Sequence, residues 1–477
     1  MSAVPPPIAS AAEVSAALQR TIVPAQFVIF GFGSVVGTAW VVLLGGWLHR
    51  AGPGGMLLGV TLGGLAMALI ASMYAELASR FPQTGGEITY ITKVFGKSFG
   101  FLVGWLLMLA YLSNLVFEGV ALGWLFGILW PSLTGPTLYT VFGQPIGAGS
   151  LALALISCLT IATLNYRGAR SFVRFQNVLT IAFLAIVLTC AAFEFAVGSP
   201  SNMQPVFQTG KGGSWLLGAV WVFGSVPMIF NGFQTVLHAI EERSETTAAE
   251  TVVRLCAVPV GMAIVFYLFV LSAAMMAVPW ANLASSELPA VGAVVALPWA
   301  SVFRTVFLLA LIASLLKAWN AVFMTSVRML YAQSREGMIP SLFSEVNPRT
   351  GSPGKTVLVV AAFNLAGIFL GKGLLDPLVN AMSVCIATIY ALICAATLVM
   401  RARFPEQTGF RVPGGYPLGV LSIVAAAGMV VFALLQPAVT SEADAFKWLL
   451  LLVWIVLGLL FYATRNRKSS IVATVEQ

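Results

Sequence analysis

Long apolar segments, separated by short polar stretches, run along the whole chain. Each segment is long enough to cross a hydrocarbon layer of about 30 Å as a helix. We identify twelve of them, at about residues 22–48, 54–79, 97–130, 147–165, 172–197, 213–240, 252–279, 302–332, 355–371, 376–400, 414–436 and 446–463. The pattern predicts an all-α integral membrane protein with twelve transmembrane helices and no soluble domain.

Two of these segments carry small and polar residues near their middle. In segment 1, residues 31–40 contain three glycines, a serine and a threonine, and in segment 6 Pro227 and residues 231–235 interrupt the apolar run. An unwound backbone survives in a bilayer only where it is buried in protein or lines a cavity. Because the segments lie five crossings apart, an inverted five-helix repeat would place the two breaks face to face, as at the sites of secondary transporters. The alternative is that the small residues only permit close helix packing.

Composition and charge distribution support a membrane protein. Hydrophobic residues make up 59% of the 477 and charged residues only 9%, which excludes an ordinary soluble domain. If the amino terminus is cytoplasmic, nineteen of the 25 lysines and arginines fall at cytoplasmic ends and loops. The positive-inside rule therefore predicts a multi-pass protein of the inner or plasma membrane with both termini in the cytoplasm. The net charge of +8 then reflects topology and requires no nucleic-acid partner.

The sequence offers little material for an enzyme or a metal site. All five cysteines lie in apolar segments without metal-ligand spacing, so we interpret them as packing residues. The only histidines are His49 and His238. We therefore expect no cofactor, no metal and no catalytic residues.

Two ionisable residues lie well inside predicted crossings. Glu118 is the only acidic residue at such depth, and with Tyr111 and Asn114 it makes one face of segment 3 polar. Lys317 lies in the middle of segment 8. Because intramembrane charges are costly, each is a functional hypothesis by default.

Several roles stay open for this pair. Glu118 could bind an ammonium group, carry a proton, or serve as a structural partner for another helix. Lys317 could take the place of a coupling cation and exchange a proton. It could instead form an ion pair with Glu118.

A series of motifs resembles the amino acid/polyamine/organocation permeases. In chain order the motifs are AELASRFP with GGE at 75–87, NYRG and RFQN at 165–177, FNGF at 230–233, SVR, YA and REGMIP at 326–340, and FRVPGG at 410–415. The resemblance implies a five-plus-five inverted-repeat fold with two additional helices and discontinuous helices 1 and 6. It also implies alternating-access transport of an amino acid or organic amine.

On this resemblance the chain divides into four parts. Residues 1–20 form a cytoplasmic tail, residues 21–400 the inverted-repeat transport core, residues 401–463 helices 11 and 12, and residues 464–477 a second cytoplasmic tail. Helices 11 and 12 lack interruptions, so we interpret them as peripheral packing or an oligomer contact.

The resemblance also places site residues at the two breaks. Amides around Gly37 would receive a substrate carboxylate at the positive end of a half-helix dipole. The predicted substrate-binding residues are Val36, Gly37, Thr38, Ala39, Asn114, Glu118, Met228, Phe230, Asn231 and Gly232. The predicted gating residues are Met228, Phe230 and Gln234, and the predicted coupling residues are Lys317 and Glu118.

One departure from the family bears on coupling. Many proton-coupled relatives have a lysine in helix 5, where this chain reads TIAF at 180–183. We hypothesise that Lys317 supplies this charge from helix 8, which favours proton-coupled import. The alternatives are obligate exchange or a non-transporting nutrient receptor of the same fold. The expected partners are a small substrate, the bilayer and a proton, and the oligomeric state stays open.

Overall fold

The computed structural model describes residues 23–81, 86–166, 172–208, 214–238, 240, 243–286, 288–335, 337–346, 353–405, 409–435 and 441–464. The predicted tail at 1–20 and all but the first residue of the predicted tail at 464–477 lie outside them. The helices are α1 (Pro24–Val35), α2 (Ala39–Arg80), α3 (Gly86–Phe95), α4 (Lys97–Leu129), α5 (Ala148–Tyr166), α6 (Phe172–Val197), α7 (Trp215–Ile229), α8 (Thr235–His238), α9 (Ala249–Arg254), α10 (Val258–Ala277), α11 (Trp280–Ser285), α12 (Pro289–Ala293), α13 (Ala300–Arg335), α14 (Gly354–Ile368), α15 (Leu375–Arg403), α16 (Gly415–Leu435) and α17 (Ser441–Thr464). Short 3₁₀ turns lie at Pro131–Leu133, Pro200–Met203, Leu255–Ala257, Val294–Ala296, Ser341–Ser344 and Lys372–Leu374.

Apolar helices of membrane-spanning length dominate this architecture. Within the described residues, nine helical stretches are long and apolar enough to cross a membrane, and α1, α7 and α14 are shorter apolar helices. Many of their side chains are large, hydrophobic and exposed, as on Leu62, Ile156 and Leu459. Such surfaces suit contact with lipid, so this is a multi-pass membrane protein.

Segments 1 and 2 connect differently from the prediction. The pattern places a short loop at residues 49–53, whereas α2 continues through this region and bends at Gly52. Gly52 has φ +66°, a left-handed conformation that glycine adopts without a Cβ penalty, and Pro53 follows it. Because proline is favoured at the start of a helix, the second half of α2 begins directly at the bend.

The structure contains a short β-hairpin that the all-α prediction did not include. Strands β1 (Thr137–Val141) and β2 (Gln144–Gly147) pair antiparallel between α4 and α5. Phe142 and Gly143 both have positive φ, as in the two-residue turns that join antiparallel strands. The Tyr139 hydroxyl donates a 2.7 Å hydrogen bond to the Phe369 carbonyl, which fixes the hairpin to the end of α14.

Helices α2 and α7 pack closely along their length. A Cβ on Gly63 would lie 2.5 Å from Val226, so the two backbones approach as only small residues allow. The buried indole Nε1 of Trp47 donates a 3.0 Å hydrogen bond to the Ser225 hydroxyl, which joins the same two helices. Helix α10 contacts α1 and α2. These helices form one packed group around both interrupted segments.

A second group, formed by α4, α5, α13 and α14, is joined by buried amides. Asn165 donates a 2.9 Å hydrogen bond to Asn320, which links α5 to α13. Asn364 of α14, with its amide oriented to suit both neighbours, donates to the Leu115 carbonyl at 3.1 Å and accepts from the Trp319 indole at 2.8 Å. Hydrogen bonds between membrane helices hold them in fixed relation. This group positions the polar face of α4 that carries Glu118.

Helix α3 presents one buried face, made by Glu87, Tyr90, Ile91 and Val94. Helix α15 packs against it.

Glu76, near the end of α2, forms the centre of a buried ionic cluster. Its carboxylate accepts two hydrogen bonds from the Arg401 guanidinium and a 2.9 Å hydrogen bond from the Val412 N–H. Arg80 completes the cluster at 3.6 Å. The cluster joins α2, α15 and the chain that leads into α16.

Candidate functional site

The helical path of segment 1 is interrupted at residues 36–38. Helix α1 ends at Val35 and α2 begins at Ala39. Among the described residues, the N–H groups of Thr38 and Ala39 have no hydrogen bond to another backbone group, whereas the Gly37 N–H has the Tyr267 hydroxyl as its partner. Thr38 is the N-cap of α2, yet its side chain caps no backbone amide. Unsatisfied N–H groups at a helix N-terminus attract anions, so this break offers donors for a carboxylate.

Segment 6 is interrupted at residues 230–234. Helix α7 ends at Ile229, and the next helical turn begins at Thr235. Within the turn, Gln234 accepts a 3.1 Å hydrogen bond from the Gly232 N–H and donates a 2.7 Å hydrogen bond to Asn231 Oδ1. In this conformation Gln234 therefore braces the turn. Its predicted gating role stays a prediction.

The two interruptions are in direct contact through Gly232 and Ser34. Gly232 has φ +118°, and a Cβ added there would lie 2.4 Å from the Ser34 carbonyl oxygen. Only glycine combines this backbone conformation with this approach. The end of α1 therefore lies directly against the turn that follows α7.

Tyr267 of α10 reaches the carbonyl ends of both helices. Its hydroxyl lies 2.8 Å from the Ile229 carbonyl and 3.2 Å from the Val35 carbonyl, and it also lies beside the Gly37 N–H. Both carbonyls belong to the last residue of a helix, where partial negative charge concentrates. This acceptor cluster suits an ammonium group.

Lys317 is connected to the last turn of α1 through Thr180 of α6. Its Nζ donates a 2.8 Å hydrogen bond to the Thr180 hydroxyl of α6. A Cβ on Gly33 would lie 3.1 Å from the Thr180 methyl carbon, so Thr180 packs on α1. A series of contacts therefore joins α1, α6 and α13. The lysine side chain is 5% exposed. A lysine therefore lies in the protein interior, one residue removed from α1.

Glu118 is buried on α4, and its carboxylate oxygen Oε2 has no hydrogen-bond partner among the residues that the structure describes. Within the described residues, no nitrogen of Lys317 lies within 4.0 Å of this carboxylate, although the two opposite charges attract each other through the interior. In this conformation the two side chains form no direct ion pair. Asn114, one turn away, is half-buried.

Aromatic side chains pack around the second interruption. The Phe230 ring is fully buried against Tyr267, with 5.2 Å between ring centroids. Phe233 contacts Tyr74 and Tyr390, whose hydroxyl lies 3.4 Å from Asn231 Oδ1. The aromatic groups thus close the space on the α8 side of the turn.

The predicted site residues differ in exposure. Those buried are Val36, Thr38, Glu118, Met228, Phe230, Gln234 and Lys317, and those half-buried are Gly37, Ala39, Asn114, Asn231 and Gly232. The structure brings the residues of the two interruptions together and connects Lys317 to α1 through Thr180. Their roles in binding, coupling and gating stay predictions. The side chain of His238 lies outside the described residues.

Sequence reasoning missed four residues here. Tyr267 and Trp40 look like ordinary apolar-segment aromatics. In the described part of the chain, however, the Tyr267 hydroxyl bridges two helix ends and the buried Trp40 indole N–H has no hydrogen-bond partner. In the sequence, Thr180 stood out only because residues 180–183 lack the lysine that many proton-coupled relatives have in helix 5. Glu194, near the end of α6, is a further buried acid at 4% exposure, and its place near a segment end concealed it.

The remaining polar chemistry is sparse. All five cysteines are buried and free, consistent with packing residues. Across the described ranges, no cluster of three or more histidine, cysteine or acidic side chains could hold a metal ion.

Comparison with known proteins gives a consistent result. Residues 24–460 match the family model described as amino acid permease. A methylthioribose transporter of Bacillus subtilis is 29% identical, with 97% of this chain and 96% of that protein covered. The branched-chain amino acid permease BcaP of the same organism is 24% identical over 95% of this chain and 94% of its own. The aspartate-proton symporter of Bacillus subtilis is 24% identical, with 86% of this chain and 79% of that protein covered.

Proposed function

Because this chain belongs to the amino acid permease family, we propose that it is a secondary active transporter that imports an amino acid or related organic amine, coupled to protons. The observation that carries this proposal is the contact between Gly232 and Ser34, which brings two interrupted helices together. Interrupted helices that meet inside a membrane bundle form the substrate sites of secondary transporters.

The two interruptions suggest how an amino acid binds. Its carboxylate accepts hydrogen bonds from the N–H groups of Thr38 and Ala39 at the start of α2, where the helix dipole is positive. Its ammonium group donates to the carbonyls of Val35 and Ile229 and to the Tyr267 hydroxyl. Three acceptors match the three N–H donors of a primary ammonium group.

The remaining predicted residues surround this substrate. Its side chain extends toward Asn114 and Glu118 of α4, and the buried Glu118 carboxylate favours a second amine or a polar donor. Met228 and Phe230 act as gates, which requires the Phe230 ring to move from its present position against Tyr267. Asn231 and Gly232 line the turn between them.

The fold that goes with this proposal is the five-plus-five inverted repeat. Helix α1 and the first part of α2 form helix 1, and α7 with α8 forms helix 6. Helices α16 and α17 are the two additional crossings, giving twelve in all, with both termini in the cytoplasm. Alternating access would follow from movement of the group around α2 and α7 against the group joined by buried amides.

Coupling rests on Lys317. Protonated Lys317 holds Thr180, which packs on Gly33 in the last turn of α1. Loss of the proton removes the charge and weakens this connection, so helix 1 can move only in one protonation state. The relative named as an aspartate-proton symporter supports protons as the coupling ion.

Proteoliposome uptake tests the proposal. We expect an inward-directed proton gradient, with the outside more acidic than the inside, to drive uptake into vesicles that contain no substrate. Uptake that requires internal substrate at every pH would favour the obligate exchanger, and saturable binding without flux would favour the receptor.

The substrate class requires its own panel. The most similar of the relatives named above is a methylthioribose transporter, and methylthioribose is a neutral sugar derivative without an amine. We therefore include methylthioribose beside amino acids and polyamines in a thermal-shift screen. Stabilisation by amino acids supports the proposal, whereas stabilisation by methylthioribose alone would reassign the substrate.

A further inference from the structure

Two buried polar groups close to the interruptions make no hydrogen bond within the described part of the chain. They are the indole N–H of Trp40, in the first turn of α2, and the hydroxyl of Ser383 on α15. Trp40 is 2% exposed and Ser383 is 0% exposed. A buried donor or acceptor that stays unpaired is costly, and native proteins contain few of them. Both groups therefore call for a partner that this conformation does not supply.

The Ser383 hydroxyl differs from other buried hydroxyls on membrane helices. A serine or threonine inside a helix can donate to the carbonyl four residues before it. Ser326, Ser422 and Thr397 do so, at 2.8, 2.8 and 2.9 Å. Among the described residues, the Ser383 hydroxyl has no such bond to Val379 and no other partner. It therefore keeps both its donor and its acceptor capacity.

Trp40 faces the end of α7 and the turn that follows it. The start of α7 packs at Gly218 against the Arg50 carbonyl, and further along α7 Ser225 accepts a 3.0 Å hydrogen bond from the Trp47 indole. The first half of α2 thus runs antiparallel to α7. Trp40 lies seven residues before Trp47, which places it on the same face of α2 and about 10 Å nearer the interruption. The Trp40 indole is therefore level with the end of α7.

Ser383 lies on the face of α15 that contacts the second interruption. Ser383, Tyr390 and Thr397 are spaced seven residues apart, and seven residues are nearly two helical turns, so the three share one face. On this face Thr397 donates a 3.1 Å hydrogen bond to the Met73 carbonyl, and the Tyr390 hydroxyl lies 3.4 Å from Asn231 Oδ1. Ser383 is about 10 Å further toward the start of α15.

Helix α15 runs in the same direction as α7, which it contacts. The Arg50 charge attracts the carboxylate of Asp376, in the first turn of α15, and Gly218 near the start of α7 packs against the Arg50 carbonyl. The two helices therefore start at the same end of the molecule. The step back to Ser383 leads from the turn after α7 toward the last residues of α7. Ser383 and Trp40 thus face the same stretch from two different helices.

We propose that Trp40 and Ser383 form a subsite for the substrate side chain, and that the substrate is an amino acid whose uncharged side chain carries a hydroxyl or a carboxamide. This inference rests on the proposed function, in which the N–H of the neighbouring Ala39 binds the carboxylate. An indole N–H only donates, whereas a serine hydroxyl donates and accepts. A side-chain hydroxyl or carboxamide accepts from Trp40 and donates to Ser383, so both buried groups gain a partner.

An apolar side chain of the same size is rejected at this subsite. It leaves both buried groups unpaired, and sites built to hydrogen-bond a polar group discriminate strongly against analogues that lack it. Both atoms are enclosed in this conformation, so the substrate side chain reaches them when Met228 and Phe230 move, as in the proposed gating step.

The test compares amino acids of matched size on the purified full chain. Threonine is paired with valine and asparagine with leucine, and apparent affinities are measured by thermal shift and by competition for uptake in proteoliposomes. We expect threonine and asparagine to bind about tenfold or more tightly than their apolar partners. Ser383→Ala and Trp40→Phe should each weaken binding of threonine and asparagine about tenfold and leave valine and leucine unchanged.

Control variants make the same chemical changes elsewhere. Ser113→Ala on α4 and Trp280→Phe on α11 also remove buried groups that have no partner among the described residues, and both should leave the discrimination unchanged. The unfolding temperature without ligand is a second readout. Because Ser383→Ala removes an unpaired buried hydroxyl, it should leave this temperature unchanged or raise it, which a structural role for the hydroxyl would not do.

The outcomes separate this inference from the proposed function. Equal affinities within each pair, or undiminished discrimination in Ser383→Ala and Trp40→Phe, would overturn the subsite and leave amino acid transport standing. Binding of methylthioribose alone would overturn the proposed substrate. If that binding were weakened in Ser383→Ala, the hydroxyl subsite would still be supported, whereas unchanged binding would overturn it as well.

Discussion

Lys317 on α13 donates a 2.8 Å hydrogen bond to Thr180 on α6, and this pair lies against Gly33 of α1. A buried cation is thus connected to the last helical turn before the first interruption. The geometry supports the hypothesis that helix 8 supplies the charge that relatives supply from helix 5. The contact also indicates which variants can test this hypothesis.

Replacing Lys317 by Met should abolish uptake driven by a pH gradient, because the side chain can no longer exchange a proton. Thr180→Val keeps the charge and removes only its hydrogen-bond partner, so uptake should persist with an altered pH profile. Both are measured as initial uptake rates in proteoliposomes between pH 5 and pH 8. Full pH-dependent uptake by both Lys317→Met and Lys317→Ala would show that Lys317 is not the coupling residue.

Glu118→Gln should reduce stabilisation by amines more than stabilisation by amino acids with apolar side chains. The physical reason is that Gln keeps the size of the side chain and removes the charge that attracts an ammonium group. A thermal-shift series of polyamines, lysine and leucine measures this difference. An equal loss for every ligand would assign Glu118 a structural or coupling role, and Glu194→Gln provides the matched control at a second buried acid.

Gly232→Ala should impair both folding and transport. The added Cβ would lie 2.4 Å from the Ser34 carbonyl at φ +118°, a conformation that costs a non-glycine residue about 1–3 kcal/mol. We expect a lower unfolding temperature and at least about a tenfold loss of uptake. Gly261→Ala is the control, since its Cβ would meet no atom within 4 Å. Normal behaviour of Gly232→Ala would contradict the close contact of the two interruptions.

Tyr267→Phe removes one hydroxyl from the meeting point of two helix ends. If this hydroxyl helps bind the ammonium group, the KM for amino acids should rise by about tenfold, the value of one hydrogen bond to a charged group, with a smaller change in maximal rate. Tyr139→Phe removes a hydroxyl with a 2.7 Å hydrogen bond in the distant hairpin and should leave the KM unchanged. A drop in maximal rate at constant KM would indicate that Tyr267 only positions the helices.

Glu76→Gln should destabilise the protein by about 3–5 kcal/mol, because it leaves the Arg401 charge buried without its partner. The exposed pair of Glu250 and Arg254, both more than half exposed, gives the control, and Glu250→Gln should cost about 1 kcal/mol or less. Thermal unfolding in detergent compares the two. The double variant E76Q/R401M should recover part of the loss, and similar effects of Glu76→Gln and Glu250→Gln would be evidence against the buried cluster.

The sequence by itself predicted an all-helical multi-pass membrane protein and indicated where segments 1 and 6 depart from a regular helix. The length of an apolar segment is set by the thickness of the bilayer, so membrane-spanning segments can be predicted from the sequence. Glycines, proline and polar residues inside such a segment indicate where the backbone departs from a helix, so these positions can be predicted as well. The predicted stretch at residues 31–40 contains the observed interruption at 36–38.

Tertiary structure alone decided which side chains meet at these interruptions. The contacts of Tyr267 with Val35 and Ile229, and of Lys317 with Thr180, join residues more than thirty positions apart on different helices. The same holds for Gly232 and Ser34, whose approach depends on how two helices pack. Periodicity gives the face of a helix but not its partner, because the partner is set by the packing of the whole bundle. For that reason the sequence left open whether Lys317 and Glu118 pair with each other, and only the fold connected Lys317 to α1 through Thr180 and showed no direct ion pair between the two side chains.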